Sequence, residues 1–240
     1  MRRTSLYVIA WTVICVAALC AAFAVVYWLH VTLEDGQRMD AASLGATALV
    51  RDQRGELTDA ARRGIPLAAA AAAAVTVLIA FVRGRRRDAV VAALLPVVAY
   101  ALAAVLRDLV LPRPYLGEYA YLENTLPSGH VVVTVSCLVV IAWLLPAAIP
   151  GSVVVLIAAL VTGAAGLTQV AAFAHRFADV VAGALLVGVL AAAWPMRRRQ
   201  WHVAVLAGWI VVGAVAIVAG TWLLHRWDAA GYPPHEQAAA

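Results

Sequence analysis

A chain of 240 residues with 65% hydrophobic and 13% charged side chains, and a mean hydropathy of +0.89, is too apolar for a water-soluble domain and reads as a polytopic membrane protein. Its net charge of +5 calls for no nucleic-acid partner, because the arginines cluster in short runs between apolar segments, where they set membrane orientation. The three cysteines, Cys15, Cys20 and Cys137, all fall inside apolar runs, which argues for buried thiols and against a disulfide framework or metal site.

Seven apolar runs are long enough to cross a bilayer: 6–30, 66–82, 89–106, 131–145, 152–173, 180–196 and 203–224. The expected fold is an all-α transmembrane bundle of six core helices plus a seventh, with a short extracytoplasmic helical segment after the first span. It divides into a first anchor (1–30), an extracytoplasmic loop (31–65), a membrane core (66–200), an additional transmembrane helix (201–225) and a polar tail (226–240). Arg2 and Arg3, the group Arg83, Arg85, Arg86 and Arg87, and Arg197 to Arg199 all fall on one side of these spans. That side is assigned to the cytoplasm, which puts the N-terminus there.

The first run is longer than a signal-peptide core and is taken as an uncleaved anchor. The segment 31–65 mixes acids and arginines; within it 39–50 can form a helix with Ala41, Leu44 and Ala48 on one face, lying on the bilayer, capping the bundle or serving as a solvated connector. Seven consecutive alanines, 68–74, let neighbouring helices approach closely. Trp28, Trp143, Trp194, Trp201 and Trp222 lie near span ends, as an interfacial belt requires.

The remaining polar residues are not spread evenly. Arg107, Asp108 and Arg113 close the third span, Pro127-Ser128-Gly129-His130 opens the fourth, and His175 and Asp179 lie between the fifth and sixth. Alternating span direction brings all three clusters to the extracytoplasmic face, and ionisable groups at membrane depth are costly enough for such a coincidence to mark a site. A Ser and a Gly where a helix begins leave amide N–H groups for an anion. His130 can exchange a proton near neutral pH. His175 and Asp179, four apart, share a helical face, so the carboxylate can hold the imidazole in one tautomer. Arg113 can grip an oxyanion through a forked donor. Taken singly, each residue also fits a structural role: a helix end, a first-turn partner, a headgroup contact.

Together these residues resemble the type 2 phosphatidic acid phosphatase superfamily, over about residues 89–196. That family's pattern is Lys, six residues, Arg-Pro; then Pro-Ser-Gly-His; then Ser-Arg, five residues, His, three residues, Asp. The second part is complete in residues 127–130, Arg113-Pro114 matches the end of the first, and His175 and Asp179 match the end of the third. The resemblance implies a membrane lipid phosphatase without metal or other cofactor. In it His175 attacks phosphorus to give a phosphohistidine, Asp179 orients His175, and His130 protonates the leaving alkoxide. Arg113, with the Ser128 and Gly129 amides, would hold the phosphoryl oxygens.

Two positions depart from the pattern. The chain has no lysine; the lysine position is Leu106, and Arg107, one residue later, is the candidate phosphate ligand in its place. Ser-Arg becomes Thr168-Gln169, so Gln169 would offer a neutral hydrogen bond where the family places a charge. The implied substrate is a lipid phosphomonoester or diphosphate, of phosphatidic acid, phosphatidylglycerol phosphate or prenyl diphosphate type, and the implied partners are membrane lipids. The loop 115–126, with Glu118, Tyr119, Tyr121 and Glu123, should border the entrance. The competing expectations are a lipid-to-acceptor phosphotransferase and a catalytically weakened lipid-phosphate binder.

Overall fold

The computed structural model describes residues 2–45, 47–116, 123–146 and 149–194. The expected seventh helix and tail, Arg197 to Arg199, and Glu118, Tyr119 and Tyr121 lie outside the described residues. Among the described residues every regular element is helical. α1 (Arg2–Tyr27) continues into a π-turn (Trp28–Thr32); α2 (Glu34–Gly45) and α3 (Ala48–Val82) follow. α4 (Arg86–Val105) also ends in a π-turn (Leu106–Val110), and α5 (Gly129–Leu144), α6 (Gly151–Ala171) and α7 (Phe177–Ala193) complete the order.

Four helical stretches are long and apolar enough to cross a membrane: Ile9–Thr32, Gly55–Val82, Arg86–Val110 and Gly151–Ala171. Large apolar side chains such as Val13, Leu78, Val97 and Leu160 lie on their outer faces, the arrangement that suits lipid rather than water. α5 and α7 are apolar but shorter.

α5 is the centre of the bundle, packed against α3, α4, α6 and α7. Its sequence is apolar on all sides, as a fully surrounded helix requires, and Val131, Val132, Val135, Val140 and Trp143 are buried in the main core. Trp143 therefore belongs to the core and not to an interfacial belt, because α5 meets protein on every face. At the far end of α5, Arg85 donates from Nη1 to the Leu144 carbonyl at 2.9 Å. A cation there satisfies a terminal carbonyl and complements the helix dipole.

Helix boundaries in the N-terminal third differ from the hydropathy-based expectation. The break falls at Gly45 to Thr47 and not beyond residue 50, with the Thr47 amide and hydroxyl both donating to the Leu44 carbonyl. From Ala48 the chain runs as one helix of 35 residues through Pro66. Hydropathy falls across the charged residues 51–63, but Glu, Arg, Ala and Leu are good helix formers, so the helix extends well beyond its apolar part.

Candidate active site

α5 and α7 both begin at the same end of the bundle and are fastened to each other there. The Ser128 amide donates to the Asp179 carbonyl at 2.9 Å. Gly183, one turn into α7, makes this approach possible, since a Cβ there would lie 3.0 Å from the Ser128 carbonyl oxygen. Asn124 ties in the end of α4: its Nδ2 donates to the carbonyls of Arg107 (3.0 Å) and Leu111 (2.7 Å), while its Oδ1 accepts from the Leu126 amide. The three polar clusters, far apart in sequence, thus form one locality.

His175 lies in the link between α6 and α7, its amide bonded to the Gln169 carbonyl at 3.2 Å. Its Nδ1 faces Asp179 Oδ2 at 3.6 Å, leaving Nε2 as the other reactive nitrogen. The His130 ring lies 6.1 Å from that of His175, edge to face. One imidazole therefore comes from the first turn of α5 and the other from the α6–α7 link, so His175 and Asp179 do not share a helical face as expected; Asp179 meets His175 from the first turn of α7.

Asp179 is fully buried. Its Oδ2 accepts from the Thr125 hydroxyl (2.5 Å) and from the Arg176 amide (2.9 Å). The second contact is the reach of an N3 carboxylate back to the start of its own helix, so Asp179 serves both as first-turn partner and as the carboxylate facing His175. Arg176, a neighbour of His175, is buried too and donates from Nη1 to Thr125 at 3.3 Å.

Arg113 lies between two buried carboxylates, 3.7 Å from Asp179 through Nη1 and 3.7 Å from Asp40 through Nη2. Neither nitrogen makes a hydrogen bond. Its charge is matched while its donors remain unspent. Asp40, from α2, also faces His30 Nδ1 at 3.3 Å and accepts from the Ala178 amide in the first turn of α7 at 3.3 Å. Burial pushes its carboxyl above the ordinary range, opposed by the facing His30 imidazole.

The residues flanking Arg113 are held by the same N-terminal region. Tyr27 donates its hydroxyl to the Pro112 carbonyl (2.5 Å), and Gln37 donates to the Pro114 and Val31 carbonyls (2.8 and 2.7 Å). Sequence reasoning missed Tyr27, Gln37, Asp40, Asn124 and Thr125. The only local hint was acidic residues after the first span, and these did not distinguish Asp40 from its neighbours.

Two expected phosphate contacts are modified. The Ser128 amide is committed to Asp179, so it is not free for a phosphoryl oxygen; the buried Ser128 hydroxyl, which has no partner, is the available group. The Gln169 amide donates from Nε2 to the Arg62 carbonyl at 3.3 Å, leaving Oε1 buried and unpartnered. Arg107 pairs with Asp108 at 2.7 Å, yet its Nη1 lies 3.9 Å from where a Cβ on Gly129 would stand. It does reach the Pro-Ser-Gly-His turn. The helical rule of 100° per residue fails in the π-turn that carries it, where the Leu111 amide bonds back to the Leu106 carbonyl.

The start of α7 is already served by Asp40 and Asp179. The start of α5 has no side-chain cap, and the buried Ser128 hydroxyl beside it has no partner, so both remain for an anion. Among the described residues no group of three His, Cys, Asp or Glu side chains is placed to hold a metal ion.

The family model described as PAP2 superfamily matches residues 110–204, which contain Arg113, His130, His175 and Asp179. No curated protein and no solved structure matches the chain.

Proposed function

We propose, taking residues 110–204 as a PAP2 superfamily segment, that this protein is an integral membrane lipid phosphatase working through a phosphohistidine. The match supports a phosphatase-type membrane protein in general. The finer reading rests on one observation: two imidazoles, one held against a buried carboxylate, face each other beside an uncapped helix start and an arginine with unspent donors.

His175 Nε2 attacks phosphorus, forming a P–N bond as the P–O bond to the lipid alkoxide breaks. Asp179 stabilises the imidazolium, and His130 delivers its proton to the departing oxygen. Water then attacks the phosphohistidine, giving its proton to His130 as the P–N bond breaks and phosphate leaves. Arg113, Arg107, the Gly129 amide and the Ser128 hydroxyl receive the phosphoryl oxygens, where charge develops. The substrate class is a lipid phosphomonoester or diphosphate, met from the extracytoplasmic leaflet with the N-terminus in the cytoplasm, and no cofactor takes part.

The neutral Gln169 favours a second reading, a lipid-phosphate binder with little turnover. The two separate in one experiment. Phosphate release is measured from phosphatidic acid, phosphatidylglycerol phosphate and a prenyl diphosphate in chelator, with wild type, His175→Ala and His130→Ala. Release by wild type, reduced at least a thousandfold in His175→Ala, is the expected result. Background release from wild type and variants alike across the panel would sink the phosphatase reading in favour of the binder.

A further inference from the structure

The charges around the site do not balance for a phosphate ligand. Arg113 stands between two buried carboxylates, Arg107 is paired with Asp108, Arg176 is engaged with Thr125, and Gln169 is neutral. A phosphoryl group carrying close to two negative charges needs a further cation, because an uncompensated charge in a site closed off from water is costly.

α3 brings one to Gln169. Pro66 has no N–H, so the carbonyl four residues earlier, that of Arg62, lacks its helical hydrogen bond. The Gln169 side chain takes up that carbonyl. This contact fixes the Arg62 turn of α3 against the end of α6, six residues before His175 in sequence. The Arg62 Nε is buried and makes no hydrogen bond, and its ion partner Asp59 stands 3.6 Å away with an exposed carboxylate. α3 also packs along α5, the helix that opens with His130, as well as along α6.

Building on the phosphatase reading, we infer that Arg62 is a phosphate-binding residue of this site, supplying from α3 the positive charge that position 169 lacks. Gln169 is then the positioning residue that docks the Arg62 turn. The phosphate-binding set accordingly extends outside the segment matched by the family model, onto a helix that ends more than twenty residues before it.

The test measures inorganic phosphate binding by calorimetry, and turnover on phosphatidic acid, for wild type, Arg62→Gln, Arg62→Lys, Gln169→Arg, and the double variant Arg62→Gln with Gln169→Arg, each checked for folding by thermal denaturation. Arg62→Gln should weaken phosphate binding and lower kcat/KM by about tenfold to a hundredfold. Arg62→Lys should retain part of both, and the double variant should recover most of the loss, because charge returns to the same locality. Wild-type phosphate affinity and turnover in Arg62→Gln would overturn the assignment while leaving the phosphatase reading intact. Should Arg62→Gln not fold, Gln169→Arg alone decides: tighter phosphate binding supports a site short of charge, and unchanged affinity opposes it. If wild-type turnover equals that of His175→Ala, the phosphatase reading falls, but phosphate affinity still shows whether Arg62 holds the anion.

Discussion

Asp40 joins three elements around the site through one buried carboxylate. It faces Arg113 and His30 and accepts the Ala178 amide at the start of α7. Asp40→Ala should therefore lower thermal stability by about 3 kcal/mol, as loss of one partner of a buried pair does, and cut turnover at least tenfold by releasing Arg113. Asp40→Asn keeps an acceptor for Ala178 and should preserve more stability than turnover. A pH series adds a further check. Burial raises the Asp40 carboxyl, so its stabilising contribution is full below the ordinary carboxylate range and is lost as pH rises through the raised value. Asp40→Asn should remove that part of the decline in melting temperature with pH; an identical decline in both proteins would rule Asp40 out as its source.

At the scale of elements, the question is what puts Asp40 there. Gly36 lets α2 fold back against the π-turn after α1, for a Cβ at that position would overlap the Leu29 carbonyl. Gly36→Ala should displace α2, remove Gln37 from Pro114, and reduce turnover in proportion to the loss of folded protein. Full activity at unchanged melting temperature would show that α2 does not position the arginine. That His130, His175, Asp179 and Arg113 would meet was legible in sequence, because alternating span direction brings their clusters to one end of the bundle. Asp40 and Gln37 were not, since their partners Ala178 and Pro114 lie 138 and 77 residues away and no local period reports such a contact. The start of α3 was missed for a different reason: hydropathy marks where a helix enters lipid, whereas helix formers set where it begins.

For the molecule as a whole, depth is set by two helices measured from the same arginine-rich end. From Val82 back to Arg62 along α3 is roughly 30 Å at helical rise, about one hydrocarbon thickness. α5, clasped by Arg85 at Leu144, has 16 residues and is roughly 24 Å long. Counted from that end, the start of α5 falls about 6 Å short of the level that α3 reaches at Arg62, which in a bilayer of typical thickness would leave the imidazole below the headgroups. Thinner membranes should ease access. Turnover in vesicles is expected to rise as acyl chains are shortened and to fall as they are lengthened, with rates independent of chain length as the contrary result.

The shortness of α5 also bears on which phosphate esters compete. A phosphate joined to a hydrophobic tail is carried to the recess by partitioning of that tail, with only a small further descent of its headgroup. A dissolved sugar phosphate would have to give up its hydration to travel the same distance, with nothing in the bilayer drawing it down. For the lipid phosphatase proposed above, selection against the abundant soluble esters would then need no pocket that grips the tail; vertical position alone would exclude them.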